Sequence, residues 1–378
     1  LAATLSDEIR KFALSILEND QIVTCTDQLR IDKIRTGSNV AKEDNCDRFR
    51  LLIPFGGATL RWEIVFNSHE PHFPPDIIFS DSEADFEPNL EEILSLQYWN
   101  PEDPNSLTEV VKELLEQYKQ YHYALVKTFS EKVAFEFDSV QKLETLTSME
   151  VYVHRQTQTA LEQANFLIKL PIDLTRLPPY LVNRNPGEDS ITLFVSYEGH
   201  YGTTVTPKVF LSPRVEHAFS DVSSIKYPSW TDGDECLVSY ILAVHGYFNE
   251  KIDELVESFE RRRNYVAAFL SSFGTCVLEY DAEAFSEISF LMELEKFFFI
   301  LRIEIGRAFP EEQPVFIMKS IYHCFSEEPY HAIDDTYPYS PRWSPDEMAN
   351  RARSYLCTAV PLFKAASMKN KPYHPPGP

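Results

Sequence analysis

Prolines are grouped along this chain of 378 residues, which has 25 prolines and only 11 glycines. Proline sets its own φ and disfavours the helical region for the residue before it, so each group predicts a fixed connection between elements. The groups are Pro71, Pro74 and Pro75; Pro101 and Pro104; Pro310 and Pro314; Pro338, Pro341 and Pro345; and Pro372, Pro375, Pro376 and Pro378. Phosphate and cofactor sites usually need several glycines, and neither G-x-G-x-x-G nor G-x-x-x-x-G-K-S/T occurs. We therefore expect no cofactor.

Hydrophobic periodicity predicts elements that recur in the same order along the chain. The first copy begins with a helix within residues 1–19 and ends with a long helix, for which Ser106 is the expected N-cap and Glu109 completes a capping box. Its strands and long helix are Ile22–Ile34, Asp47–Pro54, Thr59–Phe66, Asp76–Phe79 and Ser106–Phe137. The middle copy has strands Met149–His154, Phe166–Pro171, Ile191–Tyr197 and Lys208–Leu211, followed by a helix that begins near Cys236.

The last copy is predicted to follow the same plan, with a polar loop after its fourth strand. Its elements are the helix Ile252–Phe273, the strands Cys276–Tyr280, Glu287–Leu294, Phe297–Ile305 and Val315–His323, and a helix Asp346–Lys364. Each copy then consists of a helix, a four-stranded antiparallel meander, a proline-rich crossover and a helix, which places the chain in the α+β class. We expect three domains, at residues 1–145, 146–248 and 249–378. The tail from Lys369 to Pro378 lacks apolar periodicity and is expected to stay mobile or to wrap a partner.

Charge and cysteine usage restrict the classes of partner. With 35 Lys and Arg against 58 Asp and Glu, the formal net charge is -23, which repels a phosphate backbone and an anionic membrane surface. Neither nucleic acid nor a membrane is therefore an expected partner. The six cysteines are scattered without a C-x-x-C pair, which is typical of reduced thiols inside a cell. No apolar run reaches 18 residues and no signal peptide is apparent, so we expect a soluble intracellular protein.

Several motifs resemble the ubiquitin-conjugating enzyme fold. Residues 60–79, LRWEIVFNSHEPHFPPDIIF, are similar to its third and fourth strands and the P-x-x-P-P loop between them, here Pro71, Pro74 and Pro75. Near the C-terminus, the segment with Pro310 and Pro314 resembles the same loop. Tyr322 and His323 resemble the start of the family's His-Pro-Asn segment. Trp99 and Trp343 each begin a Trp-x-Pro sequence like the one that follows the active site in those enzymes.

Four longer segments resemble the family of brain and reproductive organ expressed (BRE) proteins. They are NCDRFRLLIP at 45–54, RRNYVAAFLSSFGT at 262–275, VLEYDAEAF at 277–285 and YPYSPRW at 337–343. The resemblance implies tandem ubiquitin-conjugating-enzyme-variant (UEV) modules that act as a non-catalytic scaffold in BRISC-type assemblies, in both cytoplasm and nucleus. The implied partners are an Abraxas-type scaffold, a zinc metalloprotease deubiquitinase that cuts chains linked through ubiquitin lysine sixty-three, and a MERIT-type subunit like von Willebrand A domains. Ubiquitin itself is a further candidate partner.

Conjugation needs a cysteine thiolate to carry ubiquitin and an asparagine to stabilise the oxyanion. In the first copy Asn89 occupies the asparagine position, but Glu87 stands where the histidine belongs. No cysteine lies between Cys46 and Cys236, so the resemblance implies that this copy cannot form the thioester. We therefore expect no enzymatic activity.

The last copy also lacks the nucleophile, because Cys324 directly follows the histidine and residues 330–335 hold no cysteine. One alternative is a conjugating enzyme with a displaced nucleophile, either Cys236 or Cys324. A second alternative is a stand-alone receptor for ubiquitin chains.

Metal chemistry is not expected, because no H-E-x-x-H occurs and the pair His69 and His72 is better explained as surface-loop residues. In so acidic a chain, the basic run 261–263 predicts a solvated or salt-bridged helix face, or part of a protein interface, in preference to a nucleic-acid patch.

Abundant aromatic residues, 27 Phe and 19 Tyr, indicate protein interfaces as well as core. Proline-rich connections tend to stay on the surface, so the candidate partner-binding residues are Tyr337, Tyr339, Arg342 and Trp343. The alternative is that these side chains simply pack the loop against its own domain.

Overall fold

Three antiparallel sheets and seven α-helices form the part of the chain that the structure, a computed structural model, describes. That part comprises residues 5–18, 22, 24–25, 28–37, 46–146, 148–157, 160–179, 181, 188–199, 201–219, 226–231, 236–325 and 327–376. Two compact units divide the chain: Leu1–Leu174 with Asn183–Phe248, and Thr175–Val182 with Asn249–Pro378. The mixture of helices and antiparallel sheets confirms that part of the predicted fold class.

The first sheet has the order β1 (Arg30–Arg35), β2 (Arg48–Phe55), β3 (Ala58–Val65) and β4 (Asp76–Ile78). Alternate residues of β2 are buried, as expected for a strand with one face on a core. A two-residue turn at Gly56 and Gly57 joins β2 to β3, and both glycines have positive φ, 55° and 82°. This geometry favours glycine, and a Cβ on Gly56 would also lie 2.5 Å from the Cβ of Tyr152.

The predicted strand Ile22–Ile34 is too long. Pairing with β2 covers only Arg30–Arg35, whereas Ile22 and Cys25 are buried without being in a strand. Burial alone therefore produced the apolar pattern that resembled a strand. Parts of several predictions lie outside the described residues: 1–4 and 19 of the first helix, 23, 26 and 27 of this strand, Asn45 of the first BRE-like segment, and 377–378 of the tail.

Four helices of the first unit are α1 (Asp7–Glu18), α2 (Leu94–Gln97), α3 (Ser106–Phe129) and α4 (Glu131–Gln141). The single helix predicted over Ser106–Phe137 is wrong, because Ser130 is extended and its Oγ accepts from the Val133 N–H, which caps α4. The predicted capping box is also wrong. Asn105 is the N-cap of α3, and the Ser106 hydroxyl instead donates to the Asn100 carbonyl over 2.8 Å.

The second sheet also belongs to the first unit and is a four-stranded antiparallel meander, as predicted. Its strands, in order, are β5 (Ser148–Thr157), β6 (Ala160–Lys169), β7 (Ile191–Glu198) and β8 (Thr204–Leu211). Helix α5 (Pro213–Phe219) follows, and α6 (Leu237–Phe273) begins next to the predicted position, Cys236. The separate helix predicted over Ile252–Phe273 is wrong, because those residues continue α6. The buried Glu136 carboxylate of α4 accepts from the Leu237 N–H over 2.9 Å, which satisfies a donor at the start of α6.

The second unit contains a five-stranded sheet, not the four-stranded meander that was predicted. The order is β13 (Glu328–Asp334), β12 (Val315–Phe325), β11 (Phe297–Glu304), β10 (Glu287–Leu294) and β9 (Val277–Tyr280). The expected polar loop after His323 is in fact strand β13, in which Tyr330, Ala332 and Asp334 are buried between exposed residues. Helix α7 (Pro345–Lys369) begins at its N-cap Ser344, whose Oγ accepts from the Glu347 N–H.

The described part of the C-terminal tail lies against its own unit. The Tyr373 hydroxyl donates to the buried Asp334 carboxylate over 2.9 Å, and the Tyr330 hydroxyl donates to the Lys371 carbonyl over 2.6 Å. The expectation of a mobile tail therefore does not hold as far as Tyr373. In the described residues, no helix is both long and apolar enough to cross a membrane.

Candidate functional site

The P-x-x-P-P loop of the first unit joins β3 to β4, and it is held by Trp99. Pro71 is partly buried, Pro74 is exposed and Pro75 is buried. The Trp99 Nε1 donates to the His72 carbonyl over 3.0 Å, and the Trp99 ring lies 5.2 Å from the ring of Phe12 on α1. Trp99 therefore has a structural role, which is to connect the loop to the first helix.

Asn89 is engaged within its own turn. Its Oδ1 accepts from the Glu91 N–H over 3.2 Å, and its Nδ2 donates to the Glu92 carboxylate over 2.9 Å. Gln117 of α3 bonds both backbone groups of Asn89, at 2.8 and 3.1 Å. Glu87, at the position where a conjugating enzyme has histidine, is exposed. The Asn89 amide thus serves as a helix cap and a brace in this structure.

The matching loop of the second unit is held by a different residue. Pro310 and Pro314 are both buried, and the Tyr339 hydroxyl donates to the Pro310 carbonyl over 2.6 Å. Trp343, which the motif comparison paired with Trp99, instead has its ring 4.1 Å from the guanidinium of Arg351 on α7, which is a cation–π contact. A side-chain hydrogen bond to a loop carbonyl thus holds the loop in each unit, from the Trp99 indole in the first and from the Tyr339 hydroxyl in the second.

The Tyr-His pair at the end of β12, Tyr322 and His323, makes two different kinds of contact. Tyr322 is exposed, and its ring centroid lies 5.6 Å from that of Phe297. The His323 Nδ1 lies 3.0 Å from the Ser367 Oγ on α7, so the imidazole links strand to helix. Cys324 is exposed beside it.

The four candidate partner-binding residues are not equally accessible. Tyr337 is only 4% exposed, and its ring stacks on Phe316 at 3.9 Å, so its prediction as a surface residue is wrong. The chain turns inward there to fill the core, and burial raises the pKa of the Tyr337 hydroxyl well above its usual range. Tyr339 and Trp343 are half-buried, and Arg342 is exposed.

The two candidate nucleophiles differ in exposure, since Cys324 is exposed and Cys236 is not. Cys236 is half-buried, with its Sγ 3.1 Å from the Ser239 Oγ. Over the described ranges, no group of three or more His, Cys, Asp or Glu residues could hold a metal ion. Arg261 and Arg263 pair with Glu257 and Glu260, which is the salt-bridged face expected of the basic run.

A comparison with protein families identifies the chain. The family model described as "Brain and reproductive organ-expressed protein (BRE)" matches residues 3–324. The chain belongs to the BRE family. A relative in Branchiostoma floridae is 40% identical over 368 residues, covering 96% of this chain and 96% of the relative. Another in Danio rerio is 37% identical over 374 residues, covering 97% and 96%. Both relatives are named "BRISC and BRCA1-A complex member 2".

Sequence reasoning missed one polar site of this BRE-family chain, at Glu150 on β5. The carboxylate is 2% exposed and accepts from the Cys25 N–H over 2.7 Å and from the Gly56 N–H over 2.8 Å. Burial raises the pKa of this carboxyl, and the two N–H donors oppose that shift. Glu150 therefore fastens the β2–β3 turn to the second sheet. No local pattern could have revealed it, because its partners lie 125 and 94 residues away.

An open groove of about 450 Å³ lies along β13 of the second unit of this BRE-family chain, between that strand and the tail. Its lining combines apolar side chains such as Phe325 and Ile333 with the polar residues His331 and Lys371. None of the residues predicted from motifs lines it.

Proposed function

We propose that this BRE-family chain is a non-catalytic scaffold subunit of a BRISC-type deubiquitinase assembly. The printed name of the two relatives, "BRISC and BRCA1-A complex member 2", supports membership of such a complex. In this proposal the chain contributes surfaces that position other subunits, and a metalloprotease partner cuts the ubiquitin chains linked through lysine sixty-three. The assembly acts in both cytoplasm and nucleus.

The engagement of Asn89 carries the non-catalytic part of the proposal. A conjugating enzyme needs this amide to face a developing oxyanion, with a cysteine nucleophile close by. Here the amide donates to Glu92 and accepts from the Glu91 N–H, and the sequence has no cysteine between Cys46 and Cys236. Because the Asn89 amide is already engaged as a helix cap, its position supports a role of this fold in binding other proteins and not in catalysis.

The proposed architecture has three UEV-like modules, at residues 1–145, 146–248 and 249–378. Three antiparallel sheets, each accompanied by helices, support this division. The N-terminal module is assigned to the Abraxas-type and metalloprotease subunits, and the C-terminal module to the MERIT-type subunit. Exposed Arg342, together with half-buried Tyr339 and Trp343, is the proposed contact in the C-terminal module. Ubiquitin is a further proposed ligand.

Co-expression of the full chain with the three proposed subunits tests this function. We expect a stable multi-subunit particle, with its mass measured by light scattering, and cleavage of lysine-sixty-three-linked chains only when the metalloprotease is present. Arg342→Glu should release the MERIT-type subunit alone. Lys296→Glu, which reverses an exposed charge at the β10–β11 turn, is the matched control and should release nothing.

Two outcomes would contradict the proposal. A chain that remains monomeric with every subunit would remove the scaffold role. A dithiothreitol-sensitive ubiquitin adduct, formed with ubiquitin-activating enzyme and lost on Cys236→Ser or Cys324→Ser, would establish conjugating activity instead.

A further inference from the structure

A long stretch of the first unit has no cationic side chain. Between Trp62 and Val111 the sequence contains twelve Asp and Glu residues and neither Lys nor Arg. The nearest following cation, Lys112, is paired with Glu109 at 3.6 Å. The chain's formal charge of -23 is therefore concentrated in part on this stretch, which forms the loops and short helices between β3 and α3.

Large apolar side chains are exposed within the same stretch. Leu90 is 61% exposed, Leu94 is 56% exposed and Tyr98 is 79% exposed, which makes Tyr98 the most accessible large apolar residue among those described. Single exposed leucines are ordinary, but Leu90 and Leu94 lie within nine residues of Tyr98, and tyrosine is a residue type enriched among interface anchors. Exposed apolar side chains grouped in this way mark interaction sites. The carboxylates of Glu87 and Glu91 are exposed in the same segment.

The segment that presents these side chains is tightly held on its inner side. Ile93 is fully buried in the core of the first unit, and the Ser95 N–H and Oγ both donate to the Glu113 carboxylate, over 3.2 and 3.0 Å. The Gln97 Nε2 donates to the Glu91 carbonyl over 2.7 Å. Because the backbone is fixed before binding, a partner would lose little free energy in ordering it.

We propose that Leu90, Leu94 and Tyr98, together with Glu87 and Glu91, form a docking surface, the 90–98 surface, for a basic segment of another protein subunit. The occupant presents lysine and arginine side chains around an apolar centre that covers Leu94 and Tyr98. Charge complementarity selects this occupant, because the carboxylates repel the phosphates of both nucleic acid and anionic lipid and attract lysine and arginine side chains. The inference rests on the proposed function, since it assigns the occupant to the same assembly.

The test uses the full chain in the reconstituted assembly with two double variants. Leu94→Ser with Tyr98→Ser removes the apolar centre, and Glu87→Lys with Glu91→Lys reverses the charge. We expect the apolar variant to bind its partner subunit at least about thirty-fold more weakly, since anchor residues dominate interface affinity. Added salt should weaken binding of the wild type, because it screens the attraction between opposite charges. We expect the affinity of the charge variant to depend much less on salt.

Leu278→Ser with Tyr280→Ser is the matched control, because these residues of β9 are 52% and 43% exposed. It should leave affinity unchanged. Circular dichroism and thermal melting should match the wild type for all three variants, because the altered side chains are exposed. Carbodiimide cross-linking, which joins carboxylates to amines without a spacer, should connect Glu87 or Glu91 to a lysine of one partner subunit.

The outcomes separate this inference from the proposed function. If the assembly forms and neither variant changes affinity, or if the control weakens binding equally, the 90–98 surface is not a docking site and the scaffold role remains. Cross-links from Glu91 to a second copy of this chain would also overturn the inference, because they would identify a different occupant. If no assembly forms with any subunit, both proposals fail.

Discussion

Replacing Glu150 with alanine would break the buried connection between the β2–β3 turn and the second sheet. The carboxylate accepts two backbone N–H groups, from Cys25 and Gly56. A buried donor left without an acceptor costs about 1–3 kcal/mol, so the loss of both costs about 2–6 kcal/mol. The wild type pays a desolvation cost for its buried carboxylate, as the raised pKa of Glu150 indicates. The alanine variant does not have this cost, which offsets part of its loss in stability. We expect a net loss of about 2–4 kcal/mol in the free energy of unfolding.

Urea unfolding measured by circular dichroism and tryptophan fluorescence is the assay. With a typical urea dependence of about 2–3 kcal/mol per molar, the transition of the first unit should move down by about 1 M. Glu162→Gln, which changes an exposed carboxylate on β6, is the control and should stay within about 0.5 kcal/mol of the wild type. A loss below about 1 kcal/mol for the alanine variant would refute the reasoning, because it would mean that the two donors find other partners at little cost.

Glu150→Gln gives the same connection a pH test. The folded-state pKa of the Glu150 carboxyl is raised above 4.5, its ordinary value, so its protonation favours the folded state. This contribution is fully present below the unfolded pKa and is lost as pH rises through the folded pKa. The wild type should therefore gain stability relative to the glutamine variant as pH falls from 8 toward about 4.5. A difference in unfolding free energy that is independent of pH would contradict the raised pKa.

Three further predictions follow from single contacts. Trp99→Phe keeps an aromatic ring but loses the pyrrole N–H that donates to the His72 carbonyl, so thermal unfolding should show a loss of at least about 1 kcal/mol. No change would mean that this hydrogen bond does not hold the loop. Tyr337→Ser should lower the free energy of unfolding in urea by about 3–5 kcal/mol, because it leaves a cavity in the core. An unchanged free energy would mean that Tyr337 is not packed in the core. Burial raises the pKa of the Cys25 thiol to about 12, so iodoacetamide at pH 8 should label exposed Cys357 and leave Cys25 unmodified until urea unfolds the chain, as read by peptide mass spectrometry.

Both units hold a proline-rich loop by a hydrogen bond to one of its carbonyls, but they use different residues for this purpose. Trp99 donates to the His72 carbonyl in the first unit, and Tyr339 donates to the Pro310 carbonyl in the second. A loop fixed in this way can keep its shape without a catalytic residue nearby.

Much of the secondary structure was predictable because its cause is local. Alternation of apolar residues predicted β2, β3, β10 and β11 close to their observed bounds, since one face of each strand lies on a core. Segments such as 262–275 also showed the family resemblance, because a family can be recognised from the order of residues without knowing which of them are in contact. The position of the motif residues along the chain was equally clear from the sequence.

Tertiary structure decided the properties that depend on distant partners. Ser130 ends α3 because its hydroxyl caps the next helix, and the polar segment after His323 becomes β13 because β12 offers an edge to pair with. Tyr337 is buried because Phe316 and α7 surround it, although its proline-rich neighbours favoured the surface. Glu150 acquires its partners only when residues far apart in sequence meet. A local pattern shows which residues can be buried, but the free energy that decides burial comes from the groups that fill the space around them.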